Sequence, residues 1–174
     1  EENWSALMAG QSGIGPITHF DASHLSTQIA GEVRNFHPED YMDVKEIRHY
    51  DRYIHLAVAA ADKALADAGL SAEDLPHERT GLLIGSGMGG METFVNNTRA
   101  LIEKGPRRVS PYFVPAVIAN MASGFLTIRY GIQGPNFSIV SACATGAHSI
   151  GEGLEMIRKG IAEVMLVGGA EAAV

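Results

Sequence analysis

Only one cysteine and few basic residues occur in this sequence, and both shortages restrict what the protein can be. A single cysteine among 174 residues excludes an internal disulfide framework and agrees with a reducing compartment. The 13 basic residues are outnumbered by 20 acidic ones, so non-specific binding to nucleic acid or to an anionic membrane is not expected. No apolar run approaches the roughly 20 residues that span a bilayer, and the acidic start, Glu1 to Trp4, lacks a secretory core. We therefore expect a soluble cytoplasmic protein, or an organellar one if a transit segment had been removed.

Hydrophobic periodicity predicts an α/β fold without a low-complexity linker. With 46% hydrophobic residues, the chain can bury one sizeable core, and we expect a single domain over residues 1–174 that is truncated at both ends. An Ala-rich helical stripe runs from Asp51 to Gly69. The other predicted elements are a short extended segment near Ile29–Val33, a buried strand at Gly81–Ile84, a second strand at Val164–Val167, and helices at Glu92–Lys104 and Ala116–Tyr130. Together they predict a parallel or mixed sheet with helices on its faces.

The lone cysteine, Cys143, lies between an apolar run and a helical pattern. The run Asn136–Val140 is predicted to be a strand, and apolar residues from Ala147 to Ile157 recur at helical spacing. A thiol at such a turn faces unpaired backbone N–H groups and the positive end of the helix dipole, and both favour the nucleophilic thiolate. The space around the sulfur is left by small residues, namely Ala142, Ala144 and Gly146. The alternative is a buried, inert cysteine.

A glycine-rich segment, Gly85–Gly90, offers a competing interpretation. It fits G-x-G-x-x-G between a strand and a helix, as in a dinucleotide-binding Rossmann-like domain. That fold also needs a second strand ending in an acidic residue, but the corresponding region, Gly105–Ser110, has neither. A tight turn with close backbone packing is therefore favoured, and the dinucleotide site stays as an alternative.

Several segments occur together in an order that resembles the β-ketoacyl-(acyl-carrier-protein) synthases of the thiolase-fold superfamily, most closely their type II branch (KAS II). The resemblance covers nearly the whole chain. It is carried by Ala9–Ile14, Ile84–Gly90, Arg108–Pro115, Asn120-Met121, Tyr130-Gly131, Gly134-Pro135, Ser141–Gly146 and Gly168–Glu171. It implies a thiolase-like layered αβαβα fold, of which this chain is the N-terminal half without the first strand.

The resemblance also implies a chemistry. Cys143 would take an acyl chain as a thioester from the phosphopantetheine arm of acyl carrier protein, with its own backbone N–H as one arm of the oxyanion hole. Two histidines and a lysine would then support the decarboxylation of malonyl-carrier protein and the condensation. These groups belong to the other half of the family's chain, so residues 1–174 alone are expected to be inactive. No metal and no bound cofactor are expected, because the substrates arrive on the carrier arm.

Further positions carry over from the family by resemblance. Those of the acyl pocket are Met88, Phe113, Val114 and Ala142, with Phe113 reaching in from the partner of a homodimer. Those that would contact the acidic carrier protein are Lys45, Arg48, Arg107 and Arg108. His148 follows Cys143 on the same helix, but the angle between them around the helix argues against a direct pair. A non-catalytic module of the same fold is the remaining alternative.

Overall fold

The computed structural model describes residues 2–174, which divide into two compact units. One unit comprises the residues up to Phe36 together with Val174, and the other comprises His37–Ala173. Over the described range, no helix combines the length and the apolar character needed to cross a membrane. The α-helices are α1 (Glu2–Met8), α2 (Val44–Ile47), α3 (Arg52–Asp67), α4 (Met91–Lys104), α5 (Phe113–Val117), α6 (Met121–Tyr130) and α7 (Thr145–Arg158). The strands are β1 (Ile14–Pro16), β2 (Ile29–Gly31), β3 (Thr80–Gly85) and β4 (Val164–Gly169).

The smaller unit contains α1 and an antiparallel pair of short strands. β1 pairs with β2 in a register that sets Ile14 opposite Gly31. The carboxylate of Glu32 accepts hydrogen bonds from the backbone N–H and the hydroxyl of Thr18, both at 2.8 Å. These bonds lower the pKa of Glu32, the backbone bond most of all. The extended segment expected near Ile29 is therefore confirmed as β2.

The larger unit is built on a parallel pair of strands, β3 and β4. Their register runs from Thr80 opposite Val164 to Gly85 opposite Gly169. Every residue of β3 is buried, because α6 and α7 pack on this pair and α3 packs on α6 in the same core. The helix predicted from the Ala-rich stripe is confirmed as α3, and Gly69, with φ of +68°, follows its end.

A buried carboxylate ties the first turns of two helices together. Asp51 is the N-cap of α3, and its Oδ1 accepts a hydrogen bond from the Tyr53 N–H at 3.3 Å. Its Oδ2 accepts one from the Thr93 N–H, in the first turn of α4, at 2.8 Å. An N-cap carboxylate satisfies orphan donors and matches the helix dipole. Asp51 thus fixes the start of α4 and the end of the glycine-rich loop that leads into it.

The strand predicted over Asn136–Val140 is wrong in its extent. The segment runs beside β3 but forms only one bridge, between Asn136 and Leu82. Further along β3, side-chain hydroxyl groups bind the backbone groups of Ile84 where a paired strand would do so. Ser138 Oγ donates to the Ile84 carbonyl at 2.7 Å. The Ile84 N–H donates to Ser123 Oγ at 3.4 Å. The segment is therefore extended and well bonded without continuing the ladder.

The helix predicted over Ala116–Tyr130 is divided into α5 and α6. Between them, the backbone leaves helical geometry at Ile118. Two carbonyl groups at the break have partners elsewhere, since Val117 accepts from the Gly90 N–H at 3.0 Å and Ile118 accepts from the Tyr53 hydroxyl at 2.6 Å. These tertiary bonds replace intrahelical ones, a competition that hydrophobic spacing does not reveal.

His55 makes stability depend on pH. It is buried on α3, with Nε2 3.1 Å from the Ile47 carbonyl oxygen, and burial lowers its pKa below 6.5. The unfolded chain therefore binds more protons than the folded chain as the pH falls below about 6.5, and stability is lost there. In the full-length protein, we expect the unfolding midpoint to drop between pH 7.5 and 5.5, with a smaller drop in His55→Gln. Equal drops in both proteins would contradict this role of His55.

Candidate active site

Cys143 lies on a tight turn at the N-terminus of α7. Ala142–Ala144 form a 3-10 turn that leads directly into the helix. Two local bonds close it, from the Ser141 N–H to Thr145 Oγ1 at 2.9 Å and from the Ala144 N–H to the Ser141 carbonyl at 3.1 Å. The thiol residue is exposed. The alternative of a buried cysteine is therefore wrong, and the reactivity of the thiol stays a prediction.

The residue before the thiol has an unusual backbone. Ala142 has a φ of +51°, the left-handed region that a residue with a Cβ rarely adopts. Such geometry turns the chain sharply and presents the next side chain outwards. Strained backbone of this kind, which costs about 1–3 kcal/mol, is concentrated at functional sites.

Two glycines let α7 pack directly on the end of β4. A Cβ on Gly169 would lie 3.2 Å from both the N and the Cα of Gly146, closer than ordinary contact. The buried face of the helix is accordingly formed by small or polar residues, namely Thr145, Ser149 and Gly153. Its apolar stripe points away and is exposed in this chain, with Ile150 58% and Leu154 46% accessible.

A cavity of about 510 Å³ opens beside the thiol. Three of the residues expected at the site, Cys143, Met88 and Ala142, line it together. The remaining lining residues are Gly85, Ser86, Gly87, Thr145, Gly146, Gly169, Ala170 and Glu171. Phe113 and Val114 are not among them. The Phe113 ring instead faces Phe94, with centroids 6.0 Å apart, and Val114 is exposed.

The glycine-rich loop is bonded to a side chain of the protein itself. Glu171 Oε2 accepts hydrogen bonds from the N–H groups of Gly87 at 2.8 Å and Met88 at 3.2 Å. Its other carboxylate oxygen, Oε1, accepts from Ser86 Oγ at 3.1 Å. Converging N–H groups of this kind form an anion-binding nest. Because an internal carboxylate already fills it, the loop does not support the dinucleotide alternative.

The histidine nearest in sequence to the thiol bonds to a different residue. His148 Nδ1 lies 2.7 Å from Ser141 Oγ. The expectation that His148 does not pair directly with Cys143 agrees with this geometry. Ser141 is thereby bonded through both its backbone and its side chain to the first turns of α7.

The four basic positions are all exposed, and the structure connects the two segments that carry them. Lys45 lies in α2, where its N–H bonds to Asp43, and Arg48 is the C-cap of that helix. Arg107 and Arg108 lie on a 3-10 turn after α4. His49, beside Arg48, stacks on Tyr112, shortly after Arg108, with ring centroids 3.7 Å apart and planes 14° from parallel. The stack brings these two basic segments together.

Two residues of the site were not predicted from the sequence to have a role in it. Thr145 closes the cysteine turn, and Glu171 holds the glycine-rich loop. The sequence does contain one indication for Glu171. In a parallel sheet, an acidic residue directly after one strand lies beside the loop that follows the neighbouring strand. Nothing in the sequence identifies that loop before the β3–β4 pairing is known.

The strained Ala142 backbone predicts an asymmetric response to substitution. Because a β-branched residue tolerates positive φ poorly, Ala142→Val should lower the free energy of unfolding by about 1–3 kcal/mol. Ala142→Gly relieves the strain but raises the conformational entropy of the unfolded chain. Its free energy of unfolding should therefore stay within about 1 kcal/mol of the wild-type value. Denaturant unfolding of the full-length variants measures both, and equal stability of the two would contradict the prediction.

Comparison with known proteins places the chain in a family. The model of the β-ketoacyl synthase N-terminal domain matches residues 1–174. The 3-oxoacyl-(acyl-carrier-protein) synthase 2 of Vibrio cholerae serotype O1 is 49% identical over 173 residues, which are 99% of this chain and 42% of that protein. The chain thus spans about two fifths of this relative's length.

Solved structures show the same fold. The ishigamide ketosynthase/chain length factor superposes with a TM-score of 0.84 at 31% identity, over 97% of this chain and 42% of that one. One chain of the solved complex of a type II PKS acyl-carrier protein with its ketosynthase bound to the hexaketide matches with a TM-score of 0.74 at 27% identity, over 80% of this chain and 39% of that one. The expected thiolase-like α/β fold is confirmed. The chain belongs to the β-ketoacyl synthase family, whose N-terminal domain it matches along its whole length.

Proposed function

We propose that this chain is the N-terminal half of a 3-oxoacyl-(acyl-carrier-protein) synthase of fatty-acid synthesis, with Cys143 as the acyl-carrying nucleophile. The observation that carries the proposal is the exposed thiol on a strained turn at the start of α7, beside a cavity that also includes Met88. A cysteine so placed can reach an incoming thioester. A non-catalytic module of the same fold would not need this geometry.

The first step is a transfer between thiols. The Cys143 thiolate attacks the carbonyl carbon of the acyl thioester and forms a new carbon–sulfur bond, the bond from that carbon to the phosphopantetheine sulfur breaks, and this sulfur leaves as a thiolate. Negative charge develops on the carbonyl oxygen during the attack. The start of α7 provides backbone N–H groups and the positive end of its dipole, and the N–H of Cys143 is the proposed donor to that oxygen.

The second step uses groups beyond residues 1–174. Malonyl-carrier protein loses carbon dioxide, and the resulting carbanion attacks the thioester carbon on Cys143, which releases the thiolate and a chain two carbons longer. By family resemblance, two histidines and a lysine of the C-terminal half support this step. We therefore propose that residues 1–174 alone do not condense substrates.

The acyl chain extends into the cavity beside Cys143. Met88 and Ala142 form part of its wall, and the bulk of Met88 limits how deep a chain can go. Phe113 and Val114 lie outside the lining of this cavity, and we propose that Phe113 completes the pocket of the partner subunit in a homodimer.

Acyl carrier protein is the proposed partner, docked on the basic residues Lys45, Arg48, Arg107 and Arg108. All four are exposed cations in a chain of net charge −7, and the His49–Tyr112 stack brings their segments together. The matching complex of an acyl-carrier protein with its ketosynthase supports this role. The proposed location of the protein is the cytoplasm.

Covalent labelling tests the nucleophile. In the full-length protein, an acyl-chain electrophile such as cerulenin should label Cys143, and Cys143→Ala should lose labelling and at least about a thousandfold of condensation activity. The thermal unfolding midpoint serves as the control for folding. If wild type and Cys143→Ala label equally, Cys143 is not the nucleophile. Malonyl-dependent condensation by residues 1–174 alone would contradict the need for a second half.

Charge reversal tests the docking surface. Arg48→Glu should weaken the binding of acyl carrier protein about tenfold at low salt, since opposite charges steer the encounter, and added salt should reduce the difference. Lys63→Glu is the matched control, because Lys63 is an exposed cation on α3 outside the four docking positions, about 16 Å along the helix from its first residue, Arg52. Titration calorimetry measures both. Equal weakening by the two variants would show a general charge effect instead of a docking site.

A further inference from the structure

Among the residues that the structure describes, Glu171 is the one acidic side chain that lines the same cavity as Cys143 and Met88. It follows directly after β4, where the Ala170 N–H bonds to the Gly85 carbonyl at 3.0 Å and so extends the pairing with β3. The strand register therefore delivers its carboxylate to the loop that begins after β3. This position is a consequence of the parallel sheet and not of local sequence.

All bonds that the structure shows for this carboxylate go to that loop. Its two oxygens accept from the Gly87 and Met88 N–H groups and from the Ser86 hydroxyl. Ser86 Oγ in turn accepts from the Gly89 N–H at 2.8 Å, so the carboxylate reaches a fourth loop residue through it. Ser86 is itself 1% exposed, so the network is anchored to a buried residue, whereas Glu171 and Met88 are exposed in this chain.

The loop has little else to hold its central part. It is rich in glycine, and Gly89 has a φ of +70°, which glycine adopts without strain. At its end, the Gly90 N–H bonds to the Val117 carbonyl and Asp51 fixes the start of α4. Met88, between these anchors, is 49% exposed and reaches the cavity.

Loop, carboxylate and cysteine turn are also in contact. A Cβ on Gly87 would lie 2.9 Å from Glu171 Oε2 and 3.4 Å from the Ala142 Cα. A shift of the loop at Gly87 therefore changes the distance between Met88 and the turn that carries Cys143.

We propose that Glu171 is a positioning residue that determines acyl-chain length through Met88. Its carboxylate holds the 86–88 backbone so that the Met88 side chain occupies one place on the cavity wall. Glu171 does not act on the reacting atoms. This inference rests on the proposed function, because a limit on acyl-chain length can be measured only if the protein condenses acyl substrates.

The test compares four variants of the full-length protein. Glu171→Ala removes all the acceptors. Glu171→Gln is the conservative variant, because its carbonyl oxygen can accept from Gly87 and Met88 while its amide donates to Ser86 Oγ. Glu163→Ala is the matched control, since Glu163 lies just before β4 and pairs with Arg79 at the other end of the strand. Met88→Gly shows the effect of losing the wall itself.

We expect Glu171→Ala to change the ratio of condensation rates on long and short acyl chains about tenfold, in the direction of Met88→Gly. Glu171→Gln and Glu163→Ala should keep the wild-type ratio. A wild-type ratio in Glu171→Ala overturns the proposal. So does an equal change in Glu171→Ala and Glu171→Gln, because that result would assign the effect to the charge and not to the hydrogen bonds.

Two further measurements decide the remaining cases. If Glu171→Ala does not fold, Ser86→Ala takes its place, and an unchanged ratio there overturns the proposal. If the wild-type protein condenses no substrate, the proposed function fails. Hydrogen exchange still tests whether the Glu171 carboxylate holds the 86–88 loop. The Gly87 and Met88 amides should then exchange about tenfold faster in Glu171→Ala, or in Ser86→Ala if the former is unfolded, than in Glu163→Ala. Equal exchange would show that Glu171 does not hold the loop.

Discussion

The backbone contact between Gly146 and Gly169 is the constraint on which the site depends. It brings the first turn of α7 against the end of β4 with no side chain between them. The cysteine turn lies on one side of this contact and Glu171 on the other, so both face one cavity. A Cβ at Gly169 would push the helix away from the strand, and the thiol would move away from the loop that carries Met88.

Carboxylates join elements that are far apart in sequence. Asp51 links the starts of α3 and α4, and Glu171 links the end of β4 to the loop after β3. Each accepts backbone N–H groups that would otherwise be unsatisfied, at a helix start or in a glycine-rich turn. The loop between them is held from both ends by acidic side chains, although its own sequence is flexible. This arrangement explains how so many glycines can coexist with a defined cavity wall.

The sequence predicts most of the elements and the location of the thiol, and fails where tertiary bonds decide. Hydrophobic patterns were sufficient to predict α3, α4, α7, β3 and β4. The prediction of one continuous helix failed at Ile118, because the Tyr53 hydroxyl binds a carbonyl that the helix would use. The predicted strand failed at Ser138, because its side-chain hydroxyl binds the Ile84 carbonyl in place of a backbone N–H. At the site, Cys143 could be identified from its neighbours in sequence. Glu171 could not, because its role follows from the pairing of two strands that are distant along the chain.

The apolar stripe of α7 has a consequence for how the turn that carries Cys143 is held. The helix already meets the sheet through Thr145, Ser149 and Gly153, yet Ile150, Leu154 and Ile157 are exposed on its other side. A helix with two faces suited to burial belongs to an inner layer, and each large apolar side chain gains about 1.5–3 kcal/mol when it is covered. Whatever covers that stripe stabilises the helix on whose first turn Cys143 stands. Burial of that stripe and rigidity of the Cys143 turn are thereby coupled through one helix.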